Sequence, residues 1–325
     1  MASSKRRAPA DLDRQVRDFL KSRLAPGARL CLGYSGGLDS SVLLHLLAEI
    51  RRKMDFSLSA VHVHHGLSVN ADAWALHCES VCGRLDVSLA VHRVTVRLDG
   101  HGLEGAARAA RHRVFAAQEC DFLVLAHHRD DQAETLLFRL LRGAGAHGLA
   151  AMAEQGRFGE RDILRPLLGV SRAELHDWAC ARKLAWIDDE SNADLELTRN
   201  WLRHEAIPLL ETRFPAGRAV LARTAGQLAE SAALLDDLAA IDCAEVAEAG
   251  GLRIAGLAGL SPARAANLLR YWLRRAIGVS PGQAWTGEAL RQLLQARPDH
   301  HPDLDVGVHG WRLRRRGGLA VLETV

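Results

Sequence analysis

The chain has 325 residues, 48% of them apolar and 25% charged, and a formal net charge of +3. That length holds one large domain and at least one smaller one, and the composition excludes a fibrous or intrinsically disordered chain. The small positive charge permits an anionic partner without demanding one.

In chain order, residues 1–10 are polar and basic and lack the apolar core of a secretion signal. Residues 29–34 (RLCLGY) read as a strand and 40–50 (SSVLLHLLAEI) as a helix. A second strand is expected over 58–64, a helix over 71–85, and a third strand within 87–96. A helix follows over 103–119, then a fourth strand over 122–126 and a helix over 130–142. Strands alternating with helices imply βαβ units and a mostly parallel, doubly wound sheet. Ligands of such sheets bind at the carboxyl ends of the strands.

The Gly- and Ala-rich residues 143–159 read as a loop. Ser171, with Glu174 three residues on, opens a helix over 171–182 with a capping-box pattern. Another helix is expected over 200–211, tolerating a bend at Pro208. Pro215-Ala216-Gly217 suggests a boundary, giving domains 1–215 and 216–325. The second is mainly helical, with strand-like alternation over 306–322.

The loop Ser35-Gly36-Gly37-Leu38-Asp39-Ser40 joins the first strand to a helix. Two glycines allow a tight turn and close backbone approach to a ligand. Their N–H groups, the hydroxyls and the helix N-terminus form an anion site. Asp39 is placed to cap the helix or to reach a Mg²⁺ ion on bound phosphates. There is no GxxxxGK[ST] string, which excludes a Walker P-loop.

Asp131 and Glu134 are three apart at a helix start and share a face. They can bind a cationic amine or position it for deprotonation, or simply complement the helix dipole. Arg108 and Arg111 also share a face; they can clamp phosphate or the negative charge of a leaving group, or form a solvated basic face. Arg199 and Arg203, with Asn192, can hold substrate or a nucleic-acid backbone, or pair with Asp194, Glu196 or Glu205. His62, His64, His65, His127 and His128 lack the Cys or carboxylate partners of a zinc site, and are expected to pack near or hydrogen-bond to a nucleotide.

SGGLDS resembles the PP-loop of the N-type ATP pyrophosphatases, which split ATP into AMP and pyrophosphate while adenylating a substrate oxygen. Four further strings narrow the resemblance: HVHHGL from His62, EGAARAAR from Glu104, AHHRDDQAETLLFRLLRGAGAHGL from Ala126 and WIDDESNADLELTRNWLRHEAIPLL from Trp186. With the PP-loop they resemble the tRNA(Ile)-lysidine synthase family, in matching order from about residue 30 to 210.

The resemblance implies ATP and Mg²⁺ as cofactors, with Asp39 toward the metal. It implies tRNA(Ile) with a CAU anticodon and free L-lysine as substrates. Cytidine 34 would be adenylated at its C2 oxygen, and lysine would then displace AMP to give lysidine, so that the tRNA reads AUA. The residues would divide as Ser35 to Ser40 for ATP, Asp131 and Glu134 for lysine, and Asp39, Asp131 and Arg111 for catalysis. Arg108, Arg199 and Arg203 would contact phosphate or tRNA. The family usually carries an aromatic residue where this chain has His112, which puts a stacking role there in doubt.

Six scattered cysteines without a CxxC pair argue against a disulfide framework and against thiolases that hold a cluster or zinc on cysteine pairs. GMP and NAD synthetases would need different downstream strings. A non-catalytic tRNA-binding protein would not need an intact SGGLDS beside Asp131 and Glu134. No run approaches the roughly 18 apolar residues of a membrane span, so a reduced, cytoplasmic protein is expected. The oligomeric state is left open, with a homodimer as one option.

Residues 268–275 (LLRYWLRR) and 311–316 (WRLRRR) mix aromatics with arginine, as nucleic-acid contacts or basic amphipathic faces do. The chain is expected to stop short of a further C-terminal domain that some family members add.

Overall fold

The computed structural model describes residues 9–96, 102–158, 161–296, 302–307 and 310–324. Most of the basic N-terminus and the end of the 143–159 segment lie outside them, as does the side chain of Glu104. Two compact units are present. The first runs to Phe138 and resumes over Ala151–Ala225; the second comprises Arg139–Ala150 and the chain from Gly226 on. The division between the compact units falls inside a long helix, between Ala225 and Gly226.

In the first unit the elements are α1 (Pro9–Lys21), β1 (Ala28–Gly33), α2 (Leu38–Ile50), β2 (Phe56–His64), α3 (Ala71–Arg84), β3 (Ser88–Arg93), α4 (Gly102–Ala116), β4 (Phe122–Val124) and α5 (Arg129–Leu140). After α6 (Ala146–Leu149), which belongs to the second unit, come β5 (Gln155–Phe158), β6 (Arg161–Leu164), α7 (Arg172–Ala181), α8 (Thr198–Trp201) and α9 (Ile207–Arg213). The six strands are ordered β3-β2-β1-β4-β6-β5, and all pair in parallel except β5 with β6.

Side chains alternate across this sheet, as a pleated strand requires. Leu30, Leu32, Ala60, Val124 and Leu164 join one core, which contains α1, α2, α3 and α7. Cys31, Val61, Leu123 and Ile163 join the opposite core with Phe115 of α4. Ten of the 13 residues of α2 are buried, as befits a helix apolar around most of its circumference. Helix α1, absent from the sequence reading, is tied to α7 by Asp13, which accepts from Trp178 Nε1 and from the Arg182 guanidinium, both at 2.9 Å.

The four expected strands and the Ser171–Glu174 capping box are present. The reading of 143–159 as loop is corrected, because α6 and β5 lie within it. Strand β5 has no periodicity of its own and exists through its register with β6, Gln155 opposite Leu164. The helix expected over 200–211 begins earlier, at Thr198, and continues to Arg213. Pro208 cannot donate to the preceding turn, and just upstream the helix widens into a π-helical turn over Leu202–Ala206.

The second unit holds most of α10 (Gly217–Val246), the strands β7 (Ala247–Glu248) and β8 (Gly251–Arg253), and the helices α11 (Ile254–Gly259), α12 (Pro262–Ile277) and α13 (Gln283–Gln295). Strands β9 (Asp303–Asp305), β10 (Trp311–Arg316) and β11 (Leu319–Thr324) complete an antiparallel sheet ordered β7-β8-β11-β10-β9. The expected helices are therefore joined by more sheet than 306–322 alone suggested. Leu257, Leu268, Leu269, Leu273, Leu293 and Leu313 form its separate core. Gly317 and Gly318, with φ of 51° and 83°, make the hairpin between β10 and β11.

Candidate active site

The strand order reverses between β1 and β4, and this determines where the site lies. The chain leaves β1 and β4 side by side in the same direction, so the turns after both open on one crevice. One turn carries the SGGLDS loop; the other carries His127 to Asp131.

In the first turn Gly36 has φ of 82°, and a Cβ there would come 2.4 Å from Ile187 Cδ1 and 2.9 Å from Cys78 Sγ. Only glycine fits this backbone. The Gly36 carbonyl accepts from the Ile187 N–H at 2.9 Å and from the Ser41 hydroxyl at 3.2 Å, which pins the turn from two sides. Ser35 and Ser40 hydroxyls lie 3.0 Å apart, and the Gly37 N–H donates to Ser35 Oγ at 3.3 Å. The Leu38 side chain is buried in the core and anchors the helix start. His62 Nδ1 lies 3.0 Å from the Tyr34 carbonyl, beneath the loop.

Asp39, in the first turn of α2, faces the second turn. His128 Nε2 lies 3.5 Å from Asp39 Oδ2 and 3.6 Å from Asp131 Oδ2. The other Asp39 oxygen is buried and has no hydrogen-bond partner. Burial opposes ionisation of Asp39, but His128, Arg172 and Arg203 hold its carboxyl below the ordinary value. Burial likewise opposes charge on His128, and Asp131 and Asp39 together raise it. A buried carboxylate kept ionised, with one oxygen unsatisfied, is a hard ligand suited to a Mg²⁺ ion shared with phosphates. No group of three or more His, Cys, Asp or Glu is arranged to hold a metal ion by itself among the described residues. One carboxylate plus substrate phosphates is the usual magnesium arrangement and needs no such cluster.

Asp131 and Glu134 do share a face of α5. Asp131 also caps the helix, accepting from the His128 N–H at 2.9 Å. Arg203, projecting from the π-helical turn, is bidentate on Glu134 at 2.6 and 3.0 Å and reaches Asp131 at 3.2 Å. Burial pushes the Glu134 carboxyl up, and the Arg203 guanidinium opposes that rise. The partners of Arg203 are thus across the crevice, not Asp194, Glu196 or Glu205. Widened turns of this kind recur where a side chain must be aimed at a site.

Arg111 and Arg199 act on the crevice by charge. Burial, then the charges of Arg165, Arg111 and Arg199, push His127 down to about 4, and burial followed by the charge of Arg111 lowers His65. Arg108 and Arg111 flank His112, which burial and their charge push down to about 4. His112 is therefore a neutral ring at physiological pH. Asn192 contributes its carbonyl to His204 at 2.9 Å.

Two residues, Asn200 and Arg218, escaped the sequence reading, and a third, His128, was expected beside a nucleotide but not as the link it forms between Asp39 and Asp131. Asn200, buried, donates to the carbonyls of Ser191 and Asp194 and holds the loop before α8. Arg218 donates to the Arg203 carbonyl at 3.3 Å and lies 3.8 Å from Asp130. The last two are tertiary contacts without a local pattern.

Residues 9–210 match the model of the PP-loop domain family, and 252–319 match that of the TilS substrate binding domain. The first unit is therefore a PP-loop domain by fold, loop and family. A solved U34-tRNA thiolase from Methanococcus maripaludis superposes with a TM-score of 0.58 at 20% identity, covering 68% of this chain and 79% of that one, which supports the fold alone. A tRNA(Ile)-lysidine synthase of Azoarcus sp. (strain BH72) is 51% identical over 84% of this chain and 61% of its own length. One from Nitrosomonas europaea is 43% identical over 93% of this chain and 67% of its own length. The chain belongs to the tRNA(Ile)-lysidine synthase family, and it spans about two thirds of the length of these relatives.

Proposed function

We propose that this chain ligates L-lysine to C2 of cytidine 34 in the CAU anticodon of tRNA(Ile), converting its reading from AUG to AUA. The observation that carries the reading is the meeting of Asp39, His128 and Asp131 at the junction of the β1 and β4 turns, beside the Glu134–Arg203 pair. It brings a phosphate loop and a cation-binding carboxylate pair into one crevice.

In the first step the C2 oxygen of cytidine attacks the α-phosphorus of ATP, and the bond to pyrophosphate breaks. The glycine-rich turn and the α2 N-terminus bind the departing pyrophosphate, and Asp39 would hold Mg²⁺, which neutralises phosphate charge. Arg111, with Arg108, offsets the charge of the adenylate. In the second step the lysine amine attacks C2, the C2–O bond breaks, and AMP leaves. Asp131 and Glu134 bind the ammonium form, one of these two carboxylates takes its proton, and the pair orients the free amine toward C2; Arg199 and Arg203 help hold the substrate. His128 lies between the two carboxylate sites, and its charge, favoured by Asp131 and Asp39, helps keep Asp39 ionised.

The described helices include none long and apolar enough to cross a membrane. All six cysteines are free thiols, which fits a cytoplasmic location. We assign residues 1–215 to the catalytic domain and 216–325 to tRNA recognition.

The test combines purified protein, ATP, Mg²⁺, radiolabelled lysine and unmodified tRNA(Ile) with a CAU anticodon. Lysine incorporation and AMP release should both depend on the tRNA. Equal labelling of a tRNA carrying G34 would overturn the substrate assignment.

A further inference from the structure

The two arginine- and aromatic-rich strings of the second unit have different fates. Along β10 the arginines are committed to internal partners. Arg312 and Arg314 bind Asp303, Arg316 binds Glu323, and Arg315 donates to the carbonyls of Leu293 and Ala296 at the end of α13. This strand has no cation to spare for a ligand.

Helix α12 differs. Its Arg264 and Arg274 bind Asp242 and Asp236, whereas Arg275 is exposed and forms no ion pair among the described residues. Arg275 instead lies with its guanidinium 5.7 Å from the Tyr271 ring centre and donates to the Tyr271 hydroxyl at 3.3 Å. Tyr271, Trp272 and Arg275 form one wall of an open groove of about 500 Å³, and Cys243 and Ala244 of α10 form the other. No carboxylate lines it. Burial pushes the Cys243 thiol up, so that wall is uncharged at neutral pH.

The chemistry of this groove is narrow. Two aromatic side chains beside an apolar wall offer planar faces, and a single unpaired guanidinium at the rim offers a phosphate contact. That combination fits an unstacked nucleobase with its own backbone phosphate. An acyl chain would leave the guanidinium unused, and an acidic peptide would leave the aromatic faces unused.

We propose that the groove formed by Tyr271, Trp272, Arg275 and Cys243 is a binding site for one extruded nucleotide of the substrate RNA, its base against the aromatics and its phosphate on Arg275. The identity of that RNA rests on the reading given above; the groove itself does not depend on the ligation chemistry.

The test is equilibrium binding of labelled, unmodified tRNA(Ile) to the full chain by fluorescence anisotropy, without ATP or lysine. Tyr271→Ala should weaken binding by about tenfold, since stacking on an aromatic contributes at that level. Tyr271→Phe should stay within about twofold, because the ring remains. Arg275→Glu should weaken binding by about tenfold and reduce the salt slope by about one. Arg275 is exposed, so this variant stays informative if Tyr271→Ala does not fold. Wild-type affinity for both Tyr271→Ala and Arg275→Glu, with unchanged melting, would overturn the site. A change in self-association by sedimentation with RNA binding intact would overturn it too, giving the groove to a second copy of the chain. Weakened RNA binding in these variants together with a wild-type chain that ligates no lysine would refute the proposed reaction and leave the groove standing.

Discussion

Asp131 has two structural duties besides any chemistry: it caps α5 through the His128 N–H and it contacts Arg203. Truncation to alanine mixes these, at a capping cost of about 1 kcal/mol. Asp131→Asn retains an acceptor for the cap and removes the charge. We expect it to release pyrophosphate normally and to lose lysine transfer by at least about a hundredfold at low lysine. Normal transfer by Asp131→Asn under those conditions would reassign the lysine site. Asp39→Ala should instead abolish tRNA-dependent pyrophosphate release. His112 and His127, both pushed down to about 4, set an acid limit. Each is neutral in the folded chain but protonates near its ordinary value when unfolded, so the unfolded state binds more protons between about pH 6.5 and 4. Stability contributed by the neutral rings is full above that window and is lost as pH falls through it. His112→Phe cannot protonate, and its unfolding free energy, followed by thermal melting, should fall less than that of wild type between pH 6.5 and 4.5, by a difference on the order of 1 kcal/mol. Parallel wild-type and variant curves would remove His112 from the titration.

The elements around the site owe their shape to a few backbone positions. The turn after β1 is built on Gly36, whose positive φ and contact with Ile187 leave no room for a side chain. Gly36→Ala should destabilise the first unit by about 1–3 kcal/mol and weaken ATP binding more than tenfold, as seen by melting with and without ATP. Retained ATP stabilisation in that variant would mean that the turn can relax. Helices α8 and α9 form the second critical element, since the intervening π-helical turn aims Arg203 at α5. The capping box at Ser171 was readable because it is a local pattern over four residues. The wide turn before Pro208 was not, because proline announces a disturbance without saying whether the helix bends, breaks or widens.

The second unit's own hydrophobic core, separate from those of the first, predicts that the chain does not unfold in one step. Leu269, fully buried in the second core, should cost that unit about 2–5 kcal/mol when changed to alanine. Calorimetry should show one component of the Leu269→Ala transition moved to lower temperature and the other unmoved. ATP should raise only the unmoved component. A single transition shifted as a whole by both the substitution and ATP would show that the units unfold together.

The sequence alone determined the class of sheet, the phosphate loop, the Asp131–Glu134 face and the family resemblance, because each rests on local periodicity or a short contiguous string. It left Asp131 and Glu134 between a ligand site and a dipole effect, and Arg203 between a substrate contact and a helix pair. Tertiary structure decided that Asp39 and Asp131 share His128, and that Arg203 lies on Glu134, 69 positions away in the chain. It also spent the β10 arginines internally and left Arg275 exposed beside Tyr271. These pairings depend on which strand ends adjoin at the reversal of sheet order and on which carboxylates lie within reach, and no residue carries that information in its own neighbourhood.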